Sequence, residues 1–308
     1  MLDILGKRYL FFAISALLIV PGLIVMAIFG MPMSIDFQGG TMMDVRFNSG
    51  TAPTTEQVLA VYNEMGIEDA QVTTSGADTL VIRSSSIEET QRAELVRQLE
   101  AATGDSITVN RADSVSPTIG REVAQRAILA VAMAALAVIL YITFAFRGVQ
   151  HSFRYGVCAI IAMIHDVLVV LSLAAIGGQL FGWQVDSLFL TALLSVIGFS
   201  VQDKVVVFDR IRENSAIFRR LPFETLANHS IVQTLQRSIN TQLMTVEFLL
   251  LALALFGGVT LREFAVILLV GLFMGTYSSI FIAAPILVIW ETKEWKNWFG
   301  RGNREVTA

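Results

Sequence analysis

Apolar residues fall into six long runs, at 9–29, 127–146, 153–177, 186–208, about 238–257 and 264–290. Short polar intervals separate them, except that one interval, 31–122, is long and patterned differently. An α-helix rises about 1.5 Å per residue, so about 20 apolar residues cross the hydrocarbon core of a bilayer. Six transmembrane α-helices are therefore predicted. The first run, YLFFAISALLIVPGLIVMAIF, is longer than a signal-peptide core and no small-residue cleavage site follows it, so it is read as a retained anchor. Pro21 is expected to kink it.

The interval 31–122 changes period. TMMDVRF (41–47) alternates apolar and polar residues, as a half-buried strand does. TTEQVLAVYNEMG (54–66) opens on a threonine cap, ends on glycine and aligns Val58, Val61, Tyr62 and Met65 on one helical face. AQVTTSG (70–76) and DTLVIRS (78–84) read as strands joined by a tight turn. Residues 87–102 form a second amphipathic helix, and SITVNRADSV (106–115) a last strand. The order β-α-β-β-α-β is that of a ferredoxin-like unit, a fold that carries no chemistry by itself. The expected architecture is a membrane protein of six transmembrane α-helices, with an extracytoplasmic ferredoxin-like α+β domain between helices 1 and 2. The expected boundaries are 1–30 (cytoplasmic N-terminus and first span), 31–122 (outer domain), 123–291 (spans two to six, with a cytoplasmic loop 209–236) and a cytoplasmic tail at 292–308.

Composition agrees with the runs. Apolar residues make up 54% of the chain, charged residues only 16%, and the mean hydropathy is +0.64, against about 25% charged in soluble domains. Basic residues flank alternate loops: Lys7 and Arg8, Arg147 and Arg154, then Arg210, Arg212, Arg219 and Arg220, and finally Lys293, Lys296, Arg301 and Arg304. The opposite loops hold only Arg262. The positive-inside rule then puts both termini in the cytoplasm. Residues 31–122 carry 14 acidic and 6 basic side chains, −8, so the remainder of the chain is +4. That acidity reads as a solvated surface, with no nucleic-acid partner. The single cysteine, Cys158, lies in a span and offers no disulfide.

Ionisable residues within spans are costly, so they indicate function by default. His165 and Asp166 lie about 12 residues into span three, near mid-membrane. Asp203 and Lys204 lie about five residues, roughly 7–8 Å, from the inner end of span four. Arg237 opens span five, and Glu247 lies further along it. Neighbours on a helix diverge by about 100°, so His165 and Asp166 face different partners, and so do Asp203 and Lys204. Lys204 and Arg237 can snorkel to the inner headgroups, the simpler expectation for Lys204. His165 and Asp166 can be relay members or merely satisfy interhelical hydrogen bonds. Short carboxylates snorkel poorly, which singles out Asp203 and Glu247. A movable pairing of Asp203 with Arg237 would switch the acid between holding and releasing a proton. Gly271, Gly275, Ser279 and Ala283 repeat every four residues as a strip for close helix packing. Residues 218–235 read as an interfacial amphipathic segment. No metal-ligand spacing, phosphate loop or nucleophile triad is present, so no catalytic residue, metal or other cofactor is expected.

Four motifs carry a family resemblance over essentially the whole chain: SIDFQGG (34–40), IHDV (164–167), GFSVQDKVVVFDRIREN (198–214) and SIVQTLQRSINT (230–241). Together they resemble the SecF members of the SecD/SecF family of protein-export membrane proteins. The resemblance implies half of a twelve-helix transporter, with a SecD-like subunit as the other half. It implies association with the SecYEG channel in the inner membrane, use of the proton gradient, and a translocating polypeptide and membrane lipids as further partners. It implies that Asp203 and Arg237 are the acid and base of proton conduction. Asp36, Gly39 and Gly40 match the motif joining the first span to the outer domain, and Asp209 and Arg210 the cytoplasmic end of the fourth. Lys204 departs from the family's usual Thr or Ser, Glu247 from an apolar residue, and Ser34 and Gln38 mildly from the first motif. A small-molecule/proton antiporter half and a structural scaffold are the rival readings. A scaffold should tolerate Asp203→Asn, and a proton-coupled motor should not.

Overall fold

A computed structural model describes residues 3–147, 152–242, 248–256 and 259–294. The chain divides into two compact units. One is helical, Met1–Met31 with Val131–Gly177 and Phe189–Ala308; the other is a sheet unit, Pro32–Ala130 with Gly178–Leu188.

In the sheet unit, a short helix α2 (Ile35–Gln38) leads into β1 (Gly40–Phe47), α3 (Thr55–Glu64), β2 (Gln71–Thr74), β3 (Thr79–Ser84), α4 (Glu89–Thr103) and β4 (Ile107–Val115). The four strands form one sheet in the order β2-β3-β1-β4, every pair antiparallel. Period-two alternation places Met43, Val45 and Phe47 of β1 and Leu80 and Ile82 of β3 in one core. Val58, Val61 and Tyr62 of α3 and Leu95 and Leu99 of α4 fill that core. Both helices start at reciprocal capping boxes, Thr54 with Gln57 and Glu88 with Gln91, which satisfy otherwise orphaned N–H groups. At the sheet edge Arg46 Nε donates to Asp78 Oδ2 at 2.7 Å, and this bond holds the Asp78 carboxyl below the usual carboxylate range. The unit also includes Gly178–Leu188, which hydropathy leaves as a mere connection. Val185 forms a parallel bridge with Met33, through Ser34 N to Val185 O (2.9 Å) and Val185 N to Pro32 O (2.7 Å).

The remaining α-helices are α1 (Arg8–Phe29), α5 (Pro117–Ala145), α6 (Ser152–Phe181), α7 (Ser187–Ile217), α8 (Phe223–Gln242), α9 (Phe248–Phe256), α10 (Val259–Ser278) and α11 (Ala284–Thr292). Five helical stretches among the described residues are long and apolar enough to cross a membrane: Leu5–Phe29, Pro117–Ala145, Phe153–Phe181, Ser187–Ile217 and Leu261–Thr292. The expected fifth span, 238–257, crosses residues 243–247 and 257, which lie outside the described set. Helices α5 and α7 overrun their apolar cores, because polar residues at their ends, such as those of DRIREN, continue the helix past the lipid-compatible stretch. Helix α1 runs through Pro21 without interruption. The last crossing is not one α-helix: Ser279–Ala283 winds as a π-turn between α10 and α11.

Helix α8 overlaps the stretch 218–235 predicted to be interfacial, starting at Phe223 and running on to Gln242. Leu226, Ala227, Ser230, Ile231, Thr234 and Ser238 repeat at three- and four-residue intervals and are buried. Its first turn is tied to both ends of the helical unit. Arg8 Nη1 meets Glu224 Oε1 at 2.5 Å, and Arg8 Nη2 meets Glu294 Oε2 at 2.7 Å. Asn228 Oδ1 accepts from Ile4 N (3.0 Å) and Leu5 N (3.3 Å).

Candidate functional site

Helix α7 buries a face at three- and four-residue intervals, Ala192, Val196, Ser200, Lys204, Val207 and Ile211 among it, and Asp203 lies beside that face. Lys204 is 0% exposed, Asp166 1% and Asp203 7%. The two neighbours on α7 diverge, as the helical phase requires. Each enters its own polar centre.

The first centre surrounds Asp166 of α6. Lys204 Nζ donates to Asp166 Oδ2 at 2.7 Å, to Ser200 O at 3.3 Å and to Ser200 Oγ. Ser200 Oγ donates to the same Asp166 oxygen at 2.5 Å, and Ser278 Oγ at 2.8 Å. His165 Nδ1 lies 3.0 Å from Asp166 Oδ1. The His165 ring stacks on Tyr277, whose hydroxyl donates to Phe11 O of α1 at 2.9 Å. A buried ion pair is tolerated only when the remaining lone pairs and protons are bonded, and here three helices supply the partners. The snorkelling expected of Lys204 does not occur: its ammonium points inward, because a buried carboxylate within reach outweighs distant headgroups.

The second centre holds Asp203. Ser238 Oγ of α8 donates to Oδ1 at 2.7 Å, and Ser279 Oγ of the π-turn donates to Oδ2 at 2.5 Å. The expected pairing with Arg237 is absent. Ser238 takes the inward position on α8, so its neighbour Arg237 turns outward and is exposed. There Arg237 lines an open groove with Tyr141, Gly198, Gln202 and Val206. Glu247 lies outside the described residues.

Ser278 and Ser279, adjacent in the chain, serve different carboxylates. The π-turn that begins at Ser279 widens the helix at this point, a distortion frequent at functional sites. Gly275 allows the close approach: a Cβ there would come within 3.2 Å of Ser200 Cα and Cβ. Gly271 does the same one turn earlier, where a Cβ would meet Val196 and lie 3.2 Å from Val170 Cγ2. Of the four serines the sequence singled out Ser279 alone, and only as a packing residue. Ser200, Ser238 and Ser278 drew no notice as partners of the acids, since a lone hydroxyl in an apolar run has no pattern. Their burial on facing helices is the signal.

The remaining motif residues hold the ends of α7. Asp36 Oδ2 accepts from Ser187 N (3.0 Å) and Ser187 Oγ (2.7 Å), an acid at the first turn of α7. Asp36→Ala is expected to destabilise the chain by about 0.5–2 kcal/mol, the range for losing an N-terminal cap. Asp36→Asn should lose less, and thermal unfolding of the purified chain measures both. Gly39 and Gly40 take φ of +81° and +129°, backbone that favours glycine. At the other end Arg210 Nε donates to Gln233 Oε1 (2.7 Å), and Asn214 Nδ2 to Ser230 Oγ (2.8 Å), joining α7 to α8. Asp209 pairs with Arg212 one turn on.

Family models match two parts of the chain: the SecD/SecF GG motif at residues 24–50, and the C-terminal part of the protein-export membrane proteins SecD/SecF at 95–293. The protein translocase subunit SecF of Anaerolinea thermophila is 72% identical over 308 residues, and that of Thermobaculum terrenum 44% over 320, both covering the whole of either chain. A crystal structure of SecDF, a translocon-associated membrane protein from Thermus thermophilus, matches 94% of this chain with a TM-score of 0.83 at 32% identity; the match takes up 39% of the SecDF chain. With GG-motif glycines at the turn into β1, a charged motif at the end of α7 and full-length likeness to SecF subunits, the chain belongs to the SecD/SecF family of protein-export membrane proteins.

Proposed function

We propose that this chain is a subunit of the protein-export machinery that couples proton movement through Asp203 to translocation of polypeptides across the inner membrane. The observation that carries the reading is a buried carboxyl held on both oxygens by hydroxyls, Ser238 and Ser279, on two other helical segments. A hydroxyl donates to a carboxylate and accepts from a carboxylic acid, so the same three side chains hold the group with or without its proton. Arg237, next to Ser238 on α8, faces outward in this arrangement; a turn of its side chain toward Asp203 would bring a charge that stabilises the carboxylate once the proton has left. In relatives such as SecDF of Bacillus subtilis, a stretch similar to this chain is 39% of a longer chain. That supports a SecD-type partner as the remaining part; the SecDF structure that this chain resembles is translocon-associated, which favours the SecYEG channel as a neighbour. In this reading the sheet unit, whose order β-α-β-β-α-β is ferredoxin-like, lies outside and both termini are cytoplasmic. In this reading the fifth of six crossings falls at about 238–257. The protein is no enzyme and needs no cofactor; proton flow supplies the work.

Proton flux and polypeptide export in vesicles holding this chain with its SecD-type partner test the reading. Asp203→Asn is expected to abolish proton-coupled export. Ser195→Ala, a polar position on α7 whose hydroxyl bonds only within its own helix, should retain it. Coupling that survives in Asp203→Asn would sink the proposal and leave a scaffold.

A further inference from the structure

We infer that the oxygen cluster around Asp166 is a monovalent-cation site, filled in this chain by the tethered ammonium of Lys204. Nζ lies within hydrogen-bond reach of three oxygens: Asp166 Oδ2, Ser200 Oγ and the Ser200 carbonyl. Ser278 Oγ is bonded to the same carboxylate oxygen from a third helix. His165 occupies the other carboxylate oxygen and so turns Oδ2 toward the cluster. Such a set, all oxygen and with one negative charge, suits a hard cation of single charge. Among the described residues no three His, Cys, Asp or Glu side chains gather to hold a metal ion, so a divalent or transition metal has no comparable site.

Lys204 therefore acts as a specificity-determining residue. A cation that is part of the chain does not dissociate, so no sodium or potassium ion enters at Asp166 and no gradient of those ions is drawn on there. The proton at Asp203 is left as the exchangeable cation. That last step rests on the reading of Asp203 given above; the cation site itself does not.

Removing the tether should open the site to a free ion. Full-length protein in lipid nanodiscs, as wild type, as Lys204→Thr and as Lys204→Thr with Asp166→Asn, is to be assayed for binding of radioactive sodium. Its melting temperature is to be compared in sodium, lithium, potassium and choline chlorides at equal ionic strength. Lys204→Thr, which leaves room and a hydroxyl, is expected to gain saturable binding and a melting temperature raised by a small cation over choline. Wild type should show neither, and the double variant should lose both. Adding Asp203→Asn to Lys204→Thr should leave the binding intact, which separates this result from the proton-coupling test. Equal binding by Lys204→Thr and wild type overturns the inference, as does binding that persists without the Asp166 carboxylate. If neither Lys204→Thr nor Lys204→Gln can be recovered folded in any of the salts, it is also overturned, because a true cation site accepts a free ion in place of the tether.

Discussion

Lys204→Met is expected to cost the folded chain about 3–5 kcal/mol, the range for removing one partner of a buried ion pair. Methionine fills most of the space, so the loss does not come from a cavity. It comes from Asp166, 1% exposed, whose buried carboxyl loses its counter-charge and is left with only hydroxyls and an imidazole around it. Asp166→Asn in the same chain should return most of the loss, because a neutral amide needs no counter-charge. With Asp166→Asn measured alone as well, the double variant's loss less the two single losses isolates the pairwise energy, as residues in direct contact are not additive. Unfolding of the purified protein by heat or by detergent titration, in choline chloride, reads the effect. A Lys204→Met chain as stable as wild type would show that Asp166 is not held there as a carboxylate.

Gly120→Ala should run against the usual rule. In an exposed helix interior alanine is favoured over glycine by about 1 kcal/mol. At position 120 a Cβ would lie 2.5 Å from Gly39 N, 3.0 Å from Gln38 C and 3.1 Å from Phe37 C. All three are backbone atoms, which cannot step aside as the end of a side chain can. Forced overpacking costs about 1–3 kcal/mol, so the expected result is a net loss. Gly39→Ala should be worse, because its Cβ would lie 2.6 Å from Pro117 Cα and its φ is +81°, a left-handed backbone that adds about 1–2 kcal/mol. Melting curves of both variants decide it. A stabilised Gly120→Ala would mean that α5 and the turn at Gly39 separate in solution.

Much of this architecture could be read from periodicity. Alternation found β1 and β3, and the Val58, Val61, Tyr62 face found α3, because both depend on local geometry. Asp166, Asp203 and Lys204 were conspicuous as charges in apolar runs. Their partners were not, since helical phase says that Asp203 and Lys204 diverge but not which helix each one meets. Lys204 looked close enough to the membrane edge to snorkel because hydropathy falls at Phe208, whereas the carboxylate of Asp166 on another helix, 2.7 Å from its ammonium, holds it inward. The family pattern pointed to Arg237 beside Asp203. The adjacent Ser238 takes the inward position, a choice made by packing of α8 and invisible in one sequence. The segment Gly178–Leu188 joined the sheet unit through backbone bonds, to which side-chain pattern is blind.

The Arg8 clamp bears on the order in which the chain is made. Its two acidic partners, Glu224 and Glu294, are synthesised more than two hundred residues after it. The guanidinium must therefore wait while the helices between them are made. It gains its second carboxylate only when the last crossing is complete. A ribosome stalled before residue 294 leaves that clamp half closed, so full pairing at Arg8 marks a chain made past Glu294.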